Sequence, residues 1–207
     1  YNNFISGLRP IVDEVTENDT SFYRSEKTKH RKTNDNMALG IRGLSNSTST
    51  LNSETIRFLN RMGYASKSHW SKYLGGTPVN DSLLGIKYII SQDDWSRYYE
   101  EAYTLEDSEY TAYLNPYALS IAYGVNANVN GVDMESEPSP MLQLNQLISA
   151  MIGEEVEVFV PVELESQSMT NMNETYISGH YKYSPQNKDS DANLFYYFDI
   201  PVSSVEY

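Results

Sequence analysis

Cysteine is missing from the 207 residues, which excludes a disulfide framework and a thiolate zinc site while leaving the compartment open. Long apolar runs are missing too, since no stretch approaches the ~18–20 residues needed to cross a bilayer. The chain opens at Tyr1 rather than methionine, without a charged segment followed by an apolar one of the kind that directs export, so it reads as a piece of something longer. Basic residues are scarce in the second part. Residues 1–87 hold 12 Lys and Arg against 8 Asp and Glu, whereas residues 88–207 hold 3 against 20, so the overall charge of −13 is concentrated there. Such an acidic chain, with no basic stripe beyond residues 24–32, is a poor partner for nucleic acid. The cluster Arg24, Lys27, Lys29, Arg31 and Lys32 suits either a phosphate group or a solvated strand edge.

What is present is a 40% hydrophobic composition, enough for a sizeable core, and 18 tyrosines against 6 phenylalanines. Tyrosine fits half-wet sheet faces and sugar-contacting surfaces alike. The pattern predicts an α+β fold, with a mixed sheet and a few flanking helices in the N-terminal part and an antiparallel, sandwich-like C-terminal part. We read one domain over residues 1–207, with an internal division into 1–108 and 109–207.

Several segments carry local signals. Pro10 at a first helical position, followed by Ile11, Val12 and Val15, predicts a short amphipathic helix. Residues 21–28 read as a strand, 33–36 as a polar turn and 45–50 as a loop. Asn52 as a cap, an apolar pair Leu51 and Ile56 across it, and Gly63 at the end predict a helix over 53–62. Residues 66–79, with Trp70, Tyr73 and Gly75-Gly76, read as a loop with an aromatic tip. From Thr77 to Ile90 a turn, a short helical turn capped by Asp81 or Ser82, and a strand apolar on both faces follow one another, with Gly85 permitting the reversal. Residues 92–103 read as helical around Trp95, Tyr98 and Tyr99. Strands are predicted at 110–113 and 120–125, and a hairpin turn at Asn130-Gly131. Ser139, Pro140 and Gly153 bracket a second amphipathic helix. Residues 156–162 alternate as a strand, and 179–183 and 193–201 complete the β-rich part.

No catalytic constellation stands out. His30, His69 and His180 lack metal-ligand spacing, no nucleophile elbow or phosphate-binding loop occurs, and the many carboxylates after Tyr88 make any glycosidase pairing unspecific. No metal or cofactor is implied. Trp70, Tyr73 and Tyr64 near Gly75-Gly76 form the candidate sugar-stacking surface, set against a role in packing. Arg24, Glu26, Asn34, Asn36 and Asp81 are candidates for an ordered polar cluster in which Arg24 pairs with Glu26 or Asp81 or meets a phosphate.

Six runs carry a resemblance in their order along the chain. These are Phe22-Tyr23-Arg24-Ser25-Glu26-Lys27, residues 33–40, residues 47–50, residues 75–78 leading into 81–90, Asn115-Pro116-Tyr117-Ala118-Leu119-Ser120, and residues 144–148. Together the chain resembles the YfhO family of bacterial polytopic membrane proteins. Ser25 departs from the pattern, in which an apolar residue is common at that place.

The resemblance implies an extracytoplasmic domain at the outer face of the plasma membrane. Its parent would be similar to glycosyltransferases that use a polyprenyl-phosphate sugar donor to modify lipoteichoic acid. It carries no catalytic residue over to any position here. The expected role is accessory: binding an acceptor glycopolymer or lipid-linked sugar beside the parent's own transmembrane region, through Arg24, Glu26, Asn34, Asn36, Trp70, Tyr73 and Asp81. The rival expectation is a structural or protein-interaction module, and a third is a soluble glycosidase.

Overall fold

The computed structural model describes residues 1–177 and 180–199. The chain divides into two compact units, Tyr1–Phe159 and a second beginning at Val160. The expected division at residue 108 instead falls within a sheet.

In the first unit, helix α1 (Asn2–Asn18) buries Leu8, Ile11, Val12 and Val15. Pro10 lies inside α1 rather than at its start. An interior proline costs roughly 3 kcal/mol in lost bonding and sterics, and burial of that apolar stripe offsets it. Strand β1 (Arg24–Lys27) is followed by α2 (Asp35–Leu39), which replaces the predicted turn and ends with Gly40 in the left-handed region at φ 76°. Next come the two-residue strand β2 (Asn46–Ser47), α3 (Ser53–Arg61), β3 (Ala65–Lys67), β4 (Trp70–Lys72), α4 (Pro78–Leu83) and β5 (Ile86–Ser91). After these lie β6 (Glu100–Thr104), β7 (Thr111–Leu114), a 3-10 turn at Ala127–Gly131 and α5 (Pro140–Ile152).

Four strands form a mixed sheet in the order β1-β5-β7-β6, in which β5 runs parallel to β1 and antiparallel to β7. The register steps from Arg24 opposite Ile86 to Ser25 opposite Tyr88, so Lys87 is the extra residue of a bulge. That bulge lets β5 serve both faces: Ile86 and Ile89 join Leu59, Met62, Leu144 and Leu147, while Tyr88 and Ile90 join the α1 stripe. The expected covered central strand is therefore β5. Its entry needs Gly85, which sits at φ 64° and whose absent Cβ would lie 2.7 Å from the Leu119 carbonyl oxygen.

Strands β2, β4 and β3 form a small antiparallel sheet where a loop with an aromatic tip was expected. Residues 92–103 contain no helix; β6 occupies their end and pairs with β7. Residues 120–125 and 156–162 are not strands, and Asn130-Gly131 closes the 3-10 turn rather than a hairpin.

The second unit contains two two-stranded antiparallel ladders. Strand β8 (Leu164–Thr170) pairs with β11 (Asn193–Phe198), and β9 (Met172–Ile177) pairs with β10 (His180–Pro185). The expectations at Gly179 and at residues 200–201 lie outside the described residues. Among the described residues no helix is long and apolar enough to cross a membrane.

Candidate functional site

The cap of α4 differs from the expected one, and the difference releases Asp81 for another task. Thr77 is the N-cap, its side chain accepting from Asn80 N, while Asn80 Oδ1 accepts from Thr77 N at 2.7 Å. Asn80 Nδ2 also donates to the Met62 carbonyl at 2.5 Å, tying the end of α3 to the start of α4. Asp81 turns inward and is fully buried.

Three phenols surround the Asp81 carboxylate. Tyr64 donates to Oδ1 at 2.9 Å, and Tyr73 and Tyr99 donate to Oδ2 at 2.7 and 2.5 Å. These are charge-assisted contacts, short enough to hold an isolated buried carboxylate without a cation beside it. Burial pushes the Asp81 carboxyl up while the three donors pull it down. Burial and the Asp81 charge push the three phenols far above the usual tyrosine range, so they remain donors.

A second buried group continues the first. Glu26 Oε1 accepts from Asn36 Nδ2 at 3.0 Å, Leu44 N at 2.5 Å and Ser45 N at 2.7 Å, and Ser45 Oγ donates to Oε2 at 3.2 Å. Ser45 Oγ in turn accepts from Tyr73 N at 2.9 Å, which joins the Glu26 group to the Asp81 group. At the far end Lys27 Nζ donates to Asn36 Oδ1 at 2.7 Å and lies 3.1 Å from His30 Nδ1. Burial, and then the Lys27 charge, lower the His30 pKa to about 4. Burial lowers the Lys27 ammonium, opposed by Glu26 and Asp35. Burial raises the Glu26 carboxyl, opposed by Lys27 and its three N–H donors.

Gly43 seals this group. A Cβ there would collide with Asn36 Nδ2 and Glu26 Oε1.

The result is one chain of hydrogen bonds from Lys27 through Asn36, Glu26, Ser45 and Tyr73 to Asp81. Of the five residues expected in one polar cluster, Glu26, Asn36 and Asp81 lie on this chain of hydrogen bonds, inside the protein and joined by Tyr73, which was expected on the stacking surface instead. A carboxylate already saturated with donors and closed to water has no means of reaching a substrate proton. Arg24 does not join the cluster: it donates to the Leu84 carbonyl at 2.5 Å and pairs with neither Glu26 nor Asp81. Asn34 stands apart as well, clamping Ser47 through Nδ2 to the carbonyl at 2.9 Å and Oδ1 from the amide at 2.6 Å. Tyr64 and Tyr73 are buried and turn no ring face outward, which corrects their reading as a stacking surface. Trp70 is half-buried in β4, paired across the sheet with Ser47 and Lys67.

Residues that sequence reasoning missed belong to both buried groups, Ser45 to that of Glu26 and Tyr99 to that of Asp81. Tyr99 was assigned to a helix and Ser45 to a loop, and no local pattern links either to residues so distant in the chain. On the surface, a 370 Å³ cleft beside Phe22 and Tyr23 places the Arg42 guanidinium 4.7 Å over the Phe22 ring. A wider hollow of 780 Å³ along Ile5, Arg9 and Ala38 has its cation already occupied, because Arg9 donates to the Leu39 and Ala38 carbonyls at 2.7 and 2.5 Å. In the second unit a 420 Å³ cleft is lined by Glu165, Gln167, Glu174, Tyr181, Tyr183 and Tyr196. Among the described residues no three His, Asp or Glu side chains converge in a way that could hold a metal ion.

The family model of the bacterial membrane protein YfhO matches residues 1–207, the whole chain, and the chain belongs to that family. No curated protein matches it, and no solved structure matches it.

Proposed function

We propose that this member of the YfhO family is a non-catalytic domain at the outer face of the plasma membrane. It belongs to a protein that transfers sugar from a lipid-linked donor to a cell-envelope polymer such as lipoteichoic acid, and it positions the acceptor. Membership of a membrane-protein family is the first support. The observation that carries the non-catalytic part is the closure of Glu26 and Asp81. The acidic residues of the family-like runs that converge in the first unit, Glu26 and Asp81, are consumed by eight donors: Lys27 N, Asn36, Leu44 N, Ser45 N, Ser45 Oγ, Tyr64, Tyr73 and Tyr99. The transfer chemistry on this reading belongs to other parts of the complete protein.

The test is sugar transfer from a polyprenyl-phosphate donor in membranes containing the complete protein, compared with the 207-residue chain alone. Turnover in the membranes and none by the chain is expected. Donor hydrolysis by the chain itself would overturn the non-catalytic assignment. No transfer activity in membranes, with any acceptor, would favour a structural or protein-interaction module instead.

A further inference from the structure

The tyrosines of the second unit do not pack away into a core. Tyr176 and Tyr181 remain 63% and 62% exposed, and Tyr196 42%. Their rings nevertheless form an ordered strip. Centroids lie 5.0 Å apart from Tyr176 to Tyr181, 6.5 Å from Tyr181 to Tyr183, 6.4 Å from Tyr183 to Tyr196 and 6.4 Å from Tyr196 to Phe198. The strip therefore begins on the β9–β10 ladder and ends on β11.

Register places polar groups along it. Glu174 lies opposite Tyr183 and Gln167 opposite Tyr196, and both line the 420 Å³ cleft together with Glu165. The cleft is held by Asn171, at φ 53° between β8 and β9. Its Nδ2 donates to the carbonyls of Asn187, Ser190 and Asp191 at 2.8, 3.0 and 3.2 Å, and its Oδ1 accepts from Asn187 N at 2.8 Å. One side chain thus fixes the β10–β11 connection against the β8–β9 turn.

Three properties select an occupant. Exposed tyrosine faces stack on apolar C–H faces, and their hydroxyl edges and the neighbouring Glu and Gln groups take hydroxyl donors. An acyl chain or apolar protein segment would instead desolvate Glu165 and Glu174 without supplying donors, at a cost in free energy. Residues 160–207 carry seven Asp and Glu against Lys182 and Lys188, so a phosphate-rich polymer is repelled.

We propose that this cleft binds an uncharged chain of hexose sugars. The proposal rests on the reading of the chain as an acceptor-positioning domain and places its contact on an uncharged sugar segment of the acceptor, not on a polyol-phosphate backbone such as that of lipoteichoic acid.

The experiment is titration of the 207-residue chain with cellohexaose, maltohexaose and a glycerol-phosphate oligomer, followed by calorimetry and ligand-observed NMR. Sedimentation with phosphatidylcholine and phosphatidylglycerol vesicles runs in parallel. A hexaose is expected to bind with about millimolar affinity or better, and Tyr181→Ala to weaken it about tenfold while Tyr181→Phe, which keeps the stacking face and loses only the hydroxyl, weakens it less. Glu174→Gln provides a second variant that keeps the rings, and far-UV circular dichroism checks the fold of each. The proposal is overturned if neither hexaose binds at about 10 mM, if Tyr181→Ala and Glu174→Gln both leave binding unchanged, or if the oligomer or vesicles bind in place of the hexaoses. Hexaose binding combined with undisturbed transfer by the complete Tyr181→Ala protein would support the cleft and refute the acceptor role.

Discussion

Replacing Asp81 by alanine separates two roles that one residue can have at the start of a helix. If Asp81 were only a cap for α4, its loss would cost about 0.5–2 kcal/mol. In the structure Thr77 is the cap, and Asp81 is instead the common acceptor of Tyr64, Tyr73 and Tyr99. Removing it strands three buried hydroxyls, each costing about 1–3 kcal/mol, partly offset by relief of the buried charge, for a net loss of roughly 3–6 kcal/mol. Urea unfolding followed by tryptophan fluorescence measures this directly, because Trp70 and Trp95 both lie in the first unit. Tyr73→Phe and Tyr99→Phe should each lose about 1–3 kcal/mol, and their losses should not add to that of Asp81→Ala. A loss below about 2 kcal/mol for Asp81→Ala, or full additivity with Tyr99→Phe, would refute the shared-acceptor geometry.

Other substitutions follow from the same interior. Thr77→Ala should cost about 0.5–2 kcal/mol in the same assay, clearly less than Asp81→Ala. Gly43→Ala should cost about 1–3 kcal/mol, because its Cβ meets Asn36 and Glu26 in a packed interior. His30 has its folded pKa lowered to about 4, below the ordinary value near 6.5, so its contribution is fully present above that value. That contribution is lost as pH falls from about 6.5 toward 4 and the unfolded chain takes up the extra proton. Comparison of unfolding midpoints for the native chain and His30→Gln across this range checks it, and parallel slopes would contradict it. Asp19 opposes its own burial with hydrogen bonds from Lys87, Ser21 and Tyr88 that hold its carboxyl far below the usual range. Its stabilisation is present above about pH 4 and declines below, so Asp19→Asn should flatten the acid limb of the stability curve.

Helices with both ends marked were legible in the sequence. Asn52 accepts from Glu54 N and Thr55 N at 2.9 and 3.0 Å, and α3 stops one residue before the expected Met62, with Gly63 at φ 92°. Pro140 and Gly153 bracket α5 as expected. Where the signal was periodicity alone, tertiary contacts decided. Trp95, Tyr98 and Tyr99 have helical spacing, yet Tyr99 is drawn into the core by Asp81 and the following residues pair with β7. Residues 156–162 alternate like a strand, but Asn145 takes their polar groups, accepting from Val158 N and Phe159 N at 3.0 Å and donating to Phe159 O at 2.7 Å. A side-chain amide on α5 thus replaces the missing ladder.

The polar cluster was half legible for a related reason. Glu26, Asn36 and Asp81 are nameable from the sequence as candidates for one polar cluster, but their burial depends on Ser45, Gly43 and Tyr99, whose roles exist only in the folded chain. The tyrosine excess is visible in composition, and its meaning lies in position: Tyr64, Tyr73 and Tyr99 serve a buried carboxylate, while Tyr176, Tyr181 and Tyr196 stay at the surface.

The most direct test of acceptor positioning is the kinetics of sugar transfer by membranes containing the complete protein with Tyr181→Ala and Tyr196→Ala together. The expected result is an acceptor KM raised about tenfold or more, with kcat and donor KM unchanged, because the cleft contributes binding and no chemistry. An unchanged acceptor KM, or a fall in kcat alone, would contradict it.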